Sequence, residues 1–306
     1  MDFLGPLARY RRLLTPFGIA RFLVLLAVTF RLMMPECGVA AGERILPNPP
    51  AVTAQAAILV NLRTGDIIYG KNADGRMYPA STTKIMTAIL SMENGDNGSM
   101  VPVSSYAADV ESTGLQPGQT IRMGDMLELM LLESDNGAAT AIGEAVAGGE
   151  TDFARMMNQK AQELGMTGSH FVNCNGMPDE DHYTTARDMA KAAVYAMEIK
   201  QFRRIVASQA FIMPDWENPG ATYKAENTNE LLKTYPGCIG VKTGYTRAAG
   251  GCLVSAAERD GQQLLCVVLK SSDMDTRFSD SAALLDYGFA CAENGPAVLP
   301  KIDRNL

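Results

Sequence analysis

Gly251-Cys252-Leu253-Val254-Ser255-Ala256-Ala257-Glu258-Arg259-Asp260-Gly261-Gln262-Gln263-Leu264-Leu265-Cys266-Val267-Val268-Leu269 is the stretch on which the fold turns. Two apolar runs, 251–256 and 264–269, flank Asp260-Gly261, a dipeptide that readily takes the backbone of a tight turn, so the stretch predicts a β-hairpin. Working outward, Ile239 to Thr243 and Ala210 to Met213 also read as strands, and 279–289 as a closing helix. At the other end, Ala57 to Asn61 and Asp66 to Tyr69 flank the turn Arg63-Thr64-Gly65 and predict a second hairpin. The middle carries helical spacing instead. A helix enters at Pro79 and runs from Ser81 to Leu90; Met126 to Leu132 follows with Asp125 as its cap, then a helix from about Ala138 to Val146. Thr151 to Leu164 and Thr185 to Ile199 are amphipathic, the second opened by Thr185-x-x-Asp188, a variant of the capping box. Strands at both ends around a helical middle predict an α/β (α+β) fold: an antiparallel sheet built from both ends of the chain, with helices packed on it.

The first residues differ in kind. Arg9, Arg11, Arg12 and Arg21 precede the apolar run Phe22 to Phe30, and Gly38-Val39-Ala40-Ala41 supplies small residues for cleavage. Residues 1–41 therefore read as a secretory signal peptide and 42–54 as a Pro-rich linker, which places the protein outside the cytoplasm. An uncleaved anchor is the alternative, and membrane contact is expected only in that case. Cys37 lacks the small-residue context of a lipid attachment site. Without residues 1–41 the chain holds 22 basic and 32 acidic residues, a net charge of −10, which excludes nucleic acid as a partner. Of the five cysteines that remain, Cys252 and Cys266 are the pair best placed for a disulfide, but isolated buried thiols are the expectation.

Histidine-based chemistry has little to work with. The chain has two histidines, His170 and His182, and neither a Gly-x-Ser-x-Gly elbow nor a His-Glu-x-x-His zinc motif. Asp179-Glu180-Asp181-His182 reads as a solvated loop. A lysine can replace histidine as a base when burial or a neighbouring cation makes it neutral. Ser81 and Lys84 are three residues apart on the predicted helix and share a face. Lys242-Thr243-Gly244 follows an apolar strand, where the glycine permits close backbone approach to a ligand. Ser134-Asp135-Asn136 lies between two helices, either as a second hydroxyl and a carboxamide or simply as the cap of the following helix.

Ser-x-x-Lys, Ser-Asp-Asn and Lys-Thr-Gly, in that order, are the motifs of the penicillin-recognising serine enzymes. With Pro79-Ala80 before the first, Asn227-Thr228-Asn229, Tyr245-Thr246 and Leu284 to Phe289, the chain from about Ala56 to Phe289 resembles the serine D-alanyl-D-alanine carboxypeptidases, the low-molecular-mass penicillin-binding proteins. The resemblance implies the β-lactamase/transpeptidase-like fold with an all-helical subdomain, in a domain spanning 55–290; the expected short tail, 291–306, departs from the many relatives that carry a β-rich C-terminal domain. It implies peptidoglycan stem peptides ending in D-Ala-D-Ala as substrate, β-lactam antibiotics as covalent inhibitors, and no cofactor or metal. It also implies roles: Ser81 as nucleophile, Lys84 as base, Ser134 as proton relay, and Asn136, Lys242, Thr243, Gly244 and Tyr245 as substrate-binding residues, with the Ser81 and Tyr245 N–H groups as oxyanion hole. Arg277 is a further candidate for the terminal carboxylate, or else a surface residue of the last helix. A class A β-lactamase needs a Glu-x-x-Leu-Asn segment between the second and third motifs, and Gly168 to Thr185 contains none. A non-catalytic penicillin sensor is the other alternative.

Overall fold

The computed structural model describes residues 47–294 except Glu217 and Pro219, so the expected signal peptide, the start of the linker and residues 295–306 lie outside the described residues. The elements, in order, are β1 (Ala56–Asn61), β2 (Ile67–Lys71), a 3₁₀ turn (Ala80–Thr83), α1 (Lys84–Asn94), β3 (Met100–Pro102), α2 (Ser105–Ala108), β4 (Thr120–Arg122), α3 (Met123–Leu132), α4 (Asn136–Ala147), α5 (Glu150–Glu163), α6 (Ala186–Glu198), α7 (Lys200–Val206), β5 (Ala210–Pro214), β6 (Thr222–Glu226), α8 (Leu231–Thr234), β7 (Cys238–Thr246), β8 (Gly250–Arg259), β9 (Gln262–Ser271) and α9 (Thr276–Asn294).

The hairpin expected around Asp260-Gly261 is β8–β9, paired through Glu258↔Gln263 and Arg259↔Gln262. Asp260 and Gly261 both have positive φ, 49° and 74°, as a two-residue turn matching strand twist requires. This hairpin is the centre of a five-stranded antiparallel sheet in the order β2-β1-β9-β8-β7, which joins the two ends of the chain. Its composition explains why it is central. Leu264 to Leu269 is apolar throughout, without the alternation of a half-exposed strand, because both faces are covered. Leu264, Cys266 and Val268 pack with Leu284, Leu285 and Phe289 of α9, whereas Leu265, Val267 and Leu269 join the core shared with the helices on the other face. Each such side chain contributes roughly 1.5–3 kcal/mol when removed from water. On that second face α6 lies on β1 and β9, α7 on β7, and α1 is surrounded by α3 to α7.

Several expectations change. The strand at Ala210 does not join the sheet but pairs with β6 in a separate two-stranded ribbon; Thr222-Tyr223-Lys224-Ala225-Glu226 alternates, with Tyr223 and Ala225 turned inward, but it is short and mostly polar. Asp125 is not a cap: α3 starts at Met123, and Asp125 lies in its first turn, where Arg122 Nη2 donates to its carboxylate at 2.8 Å. Thr185 does cap α6 by accepting from Asp188 N at 3.0 Å. The five described cysteines are free. Cys266 sits opposite Ser255 in the β8–β9 register, so Cys252 and Cys266 do not face each other. Among the described residues, no helix is long and apolar enough to cross a membrane.

Candidate active site

Ser81 does not lie in an α-helix. It sits in the 3₁₀ turn that feeds α1, after Pro79 and an Ala80 held at a positive φ of 48°. Thr82 Oγ1 closes the turn by donating to the Pro79 carbonyl at 2.7 Å. Two glycines from distant parts of the chain pack against it. A Cβ on Gly176 would stand 2.0 Å from the Ala80 carbonyl oxygen, and its φ of +92° also suits glycine. A Cβ on Gly244 would stand 3.0 Å from Ser81 N. Glycine at these two positions lets a loop and strand β7 close on the turn from both sides.

Lys84, the first residue of α1, is fully buried. Its Nζ lies 2.8 Å from Ser81 Oγ, 2.6 Å from Asn136 Oδ1 and 2.7 Å from the Asn175 carbonyl. Asn136 cannot present its amide nitrogen instead, because Nδ2 donates to the Glu111 carbonyl at 2.7 Å. Burial lowers the Lys84 pKa from 10.5 to about 7, against the opposing charge of Asp135. A neutral amine has two N–H groups, and the two carbonyl oxygens take both. The remaining lone pair of a neutral Lys84 is then directed at Ser81 Oγ. Two anchored acceptors thus leave a buried amine aimed at one hydroxyl.

The second wall is the α3–α4 junction. Ser134 is half-buried with a φ of 68°, and among the described residues its hydroxyl has no hydrogen-bond partner. Asp135 does cap α4, accepting from Ala138 N at 2.7 Å, and it also holds Thr113 Oγ1 at 2.9 Å. The capping and chemical readings of Ser134-Asp135-Asn136 therefore coexist: the aspartate caps, and the asparagine bonds to Lys84.

The third wall is β7, an edge strand whose Gly244 packs on the Ser81 turn. Lys242 is buried, with Nζ 3.1 Å from the Thr243 carbonyl, and its pKa is pushed well below 10.5 by burial first and then by Lys84 and Arg277. The repulsion between the lysines is mutual, but it registers on Lys242; burial is what lowers Lys84. Thr243 Oγ1 lies 2.6 Å from Thr228 Oγ1. Tyr245 is exposed on the same strand. Arg277 is not a surface residue: it is 6% exposed, donates from Nη1 to the Gly244 carbonyl at 2.9 Å and leaves its buried Nε unpartnered. Among the described residues, no group of three His, Cys, Asp or Glu side chains is arranged to hold a metal ion.

Residues 44–273 match the family model described as D-alanyl-D-alanine carboxypeptidase. The chain belongs to the D-alanyl-D-alanine carboxypeptidase family. It is 35% identical over 250 residues to D-alanyl-D-alanine carboxypeptidase DacF of Bacillus subtilis, covering 79% of this chain and 64% of the relative. To the D-alanyl-D-alanine carboxypeptidase of Streptomyces strain K15 it is 33% identical over 260 residues, covering 79% of this chain and 89% of the relative. The crystal structure of the Streptomyces K15 DD-transpeptidase superposes with a TM-score of 0.76 at 32% identity, covering 80% of this chain and all of that one. The antiparallel sheet built from both chain ends is therefore the DD-transpeptidase fold. Members of this family act on peptides ending in D-Ala-D-Ala and are usually extracytoplasmic.

Some contributors to this family site were not legible in the sequence. Asn175 acts on Lys84 through a backbone carbonyl, which every residue carries and no motif marks. Thr228 belongs to the Asn227-Thr228-Asn229 stretch, a signal of family without a role until its contact with Thr243 is seen. His182 is not part of a solvated loop: Asp179 to Asp181 are exposed, but the imidazole is 1% exposed and reaches Thr83.

Proposed function

We propose that this chain is an exported serine D,D-carboxypeptidase, with its catalytic domain over 55–290, that removes the terminal D-alanine from peptidoglycan stem peptides through an acyl-enzyme on Ser81. The observation that carries the proposal is the saturated environment of Lys84, with two fixed carbonyl acceptors and one serine hydroxyl around a buried amine. In this reading Lys84 takes the Ser81 proton as Oγ attacks the carbonyl between the two D-alanines. The developing oxyanion is held by the Ser81 and Tyr245 N–H groups, each donor being worth on the order of 3 kcal/mol in the transition state. Ser134, whose hydroxyl is uncommitted, passes a proton to the leaving amine. The C–N bond breaks, D-alanine departs, and water then hydrolyses the ester to regenerate Ser81 and the shortened peptide.

Lys242, Thr243 and Arg277 form the grip for the terminal carboxylate. Two buried cations and an unpartnered guanidinium N–H are costly until an anion arrives. Carboxylate binding favours the protonated form of Lys242. Segment 172–177 places a backbone carbonyl, not a carboxylate, beside Lys84, which supports slow release of a penicilloyl group and inhibition by β-lactams rather than their hydrolysis.

The test is incubation with a diacyl-L-Lys-D-Ala-D-Ala peptide and measurement of free D-alanine. Release that is lost in Ser81→Ala and blocked by penicillin is expected. Penicillin labelling without release would make the protein a sensor, and rapid penicillin turnover would make it a β-lactamase.

A further inference from the structure

Loop 172–176 is fastened to the 3₁₀ turn and α1 by three rungs, at Thr83, Lys84 and Thr87. Thr87 Oγ1 donates to the Cys174 carbonyl at 2.6 Å, and Lys84 Nζ donates to the Asn175 carbonyl at 2.7 Å. The remaining rung runs through an imidazole. Val172 N–H donates to His182 Nδ1 at 3.1 Å, so the proton of the neutral ring is on Nε2, which donates to Thr83 Oγ1 at 2.8 Å. The ring is buried, and Phe171 stands edge-on to it at 5.5 Å. The charged or titratable groups facing it are Asp179 and His170. Thr83 immediately precedes Lys84, and Val172 begins the segment that ends at the Asn175 carbonyl. One imidazole therefore ties the residue before the lysine to the loop that supplies the lysine's acceptor.

We infer that His182 is a positioning residue for the proton transfer between Ser81 and Lys84, acting by holding the Asn175 carbonyl and the start of α1 at a fixed separation. The inference rests on the reading of Lys84 as base. Without this rung, the loop is free to draw away from Lys84, water reaches the amine, and one N–H loses its acceptor. The lysine then spends less time neutral and is worse aimed. A role in folding alone predicts lower stability with unchanged chemistry once the protein is folded, so the two roles separate experimentally.

The experiment measures the pH dependence of Ser81 acylation by a fluorescent penicillin, at a temperature below the melting point of each variant. His182→Ala is expected to slow acylation roughly 10- to 100-fold at pH 7, the scale of a small misplacement of reacting groups, and to move the acid limb of the profile to higher pH. His182→Gln, whose amide reaches Thr83, should recover part of the rate; a Gln no better than Ala counts against the Thr83 bond. Thr83→Val removes the acceptor from the other end without touching the loop and should reproduce the slowing. Folded variants that acylate at the wild-type rate, or more slowly with an unmoved acid limb, overturn the inference. If wild-type protein is not labelled at Ser81, the underlying functional reading fails instead.

Discussion

Replacing Asn136 by aspartate changes one side-chain group and places a carboxylate where a carbonyl oxygen now lies 2.6 Å from Lys84 Nζ. In the wild-type protein burial holds the Lys84 pKa at about 7, so acylation should follow the neutral fraction, with half the limiting rate near pH 7 and about one-tenth near pH 6. An opposite charge at this range raises an amine pKa by about 1–3 units, which moves the acid limb of Asn136→Asp to about pH 8–10. Acylation at pH 7 should then fall roughly 5- to 500-fold and recover as the pH is raised. The variant also loses the Nδ2 donor to the Glu111 carbonyl, which costs about 1–3 kcal/mol of stability, so thermal melts must accompany the kinetics. The assay is stopped-flow or gel-based labelling with fluorescent penicillin from pH 5.5 to 9.5. A variant as slow at pH 9 as at pH 7 would assign Asn136 to substrate binding alone. A wild-type profile that stays flat between pH 6 and 8 would remove Lys84 as the base.

Three further outcomes follow from the same geometry. Because the folded pKa of Lys84 is depressed, its stability contribution is complete above pH 10.5 and is lost as the pH falls toward 7, a difference of about 5 kcal/mol. Lys84→Met removes this cost but leaves the buried Asn136 and Asn175 carbonyl oxygens without their donor, at about 1–3 kcal/mol each. It should therefore abolish acylation while changing stability at pH 7 by no more than about 3 kcal/mol, and loss of the folded state would contradict this. Gly176→Ala puts a methyl group against the Ala80 carbonyl at a positive φ; it should destabilise by about 1–3 kcal/mol and slow Ser81 labelling, whereas normal labelling would show that the turn tolerates displacement. Burial lowers the His182 pKa to about 4, so its contribution is complete above pH 6.5 and is lost as the pH falls to 4, about 3 kcal/mol in all; in chemical denaturation His182→Gln should show a correspondingly shallower acid decline.

Local chemistry and pattern determined much of this protein before any contact was known. Asp260-Gly261 specified the β8–β9 turn because few other dipeptides take two positive φ angles without strain. The unbroken apolar run at Leu264 specified a buried strand, and the three motifs named the residues around the site. Tertiary structure alone decided how those residues act. The Asn175 carbonyl has no side-chain signature, and Lys84 is held neutral chiefly by burial, a property of everything packed around it, rather than by Lys242 as cation spacing in a sequence suggests. Arg277 and His182 both look like surface residues in one dimension, since charge and polarity there argue for solvent. Only chain closure places Arg277 behind Gly244 and His182 against Thr83. A hydrogen-bond partner more than thirty or ninety residues away leaves no mark on local propensity, and such partners frame Ser81 and Lys84.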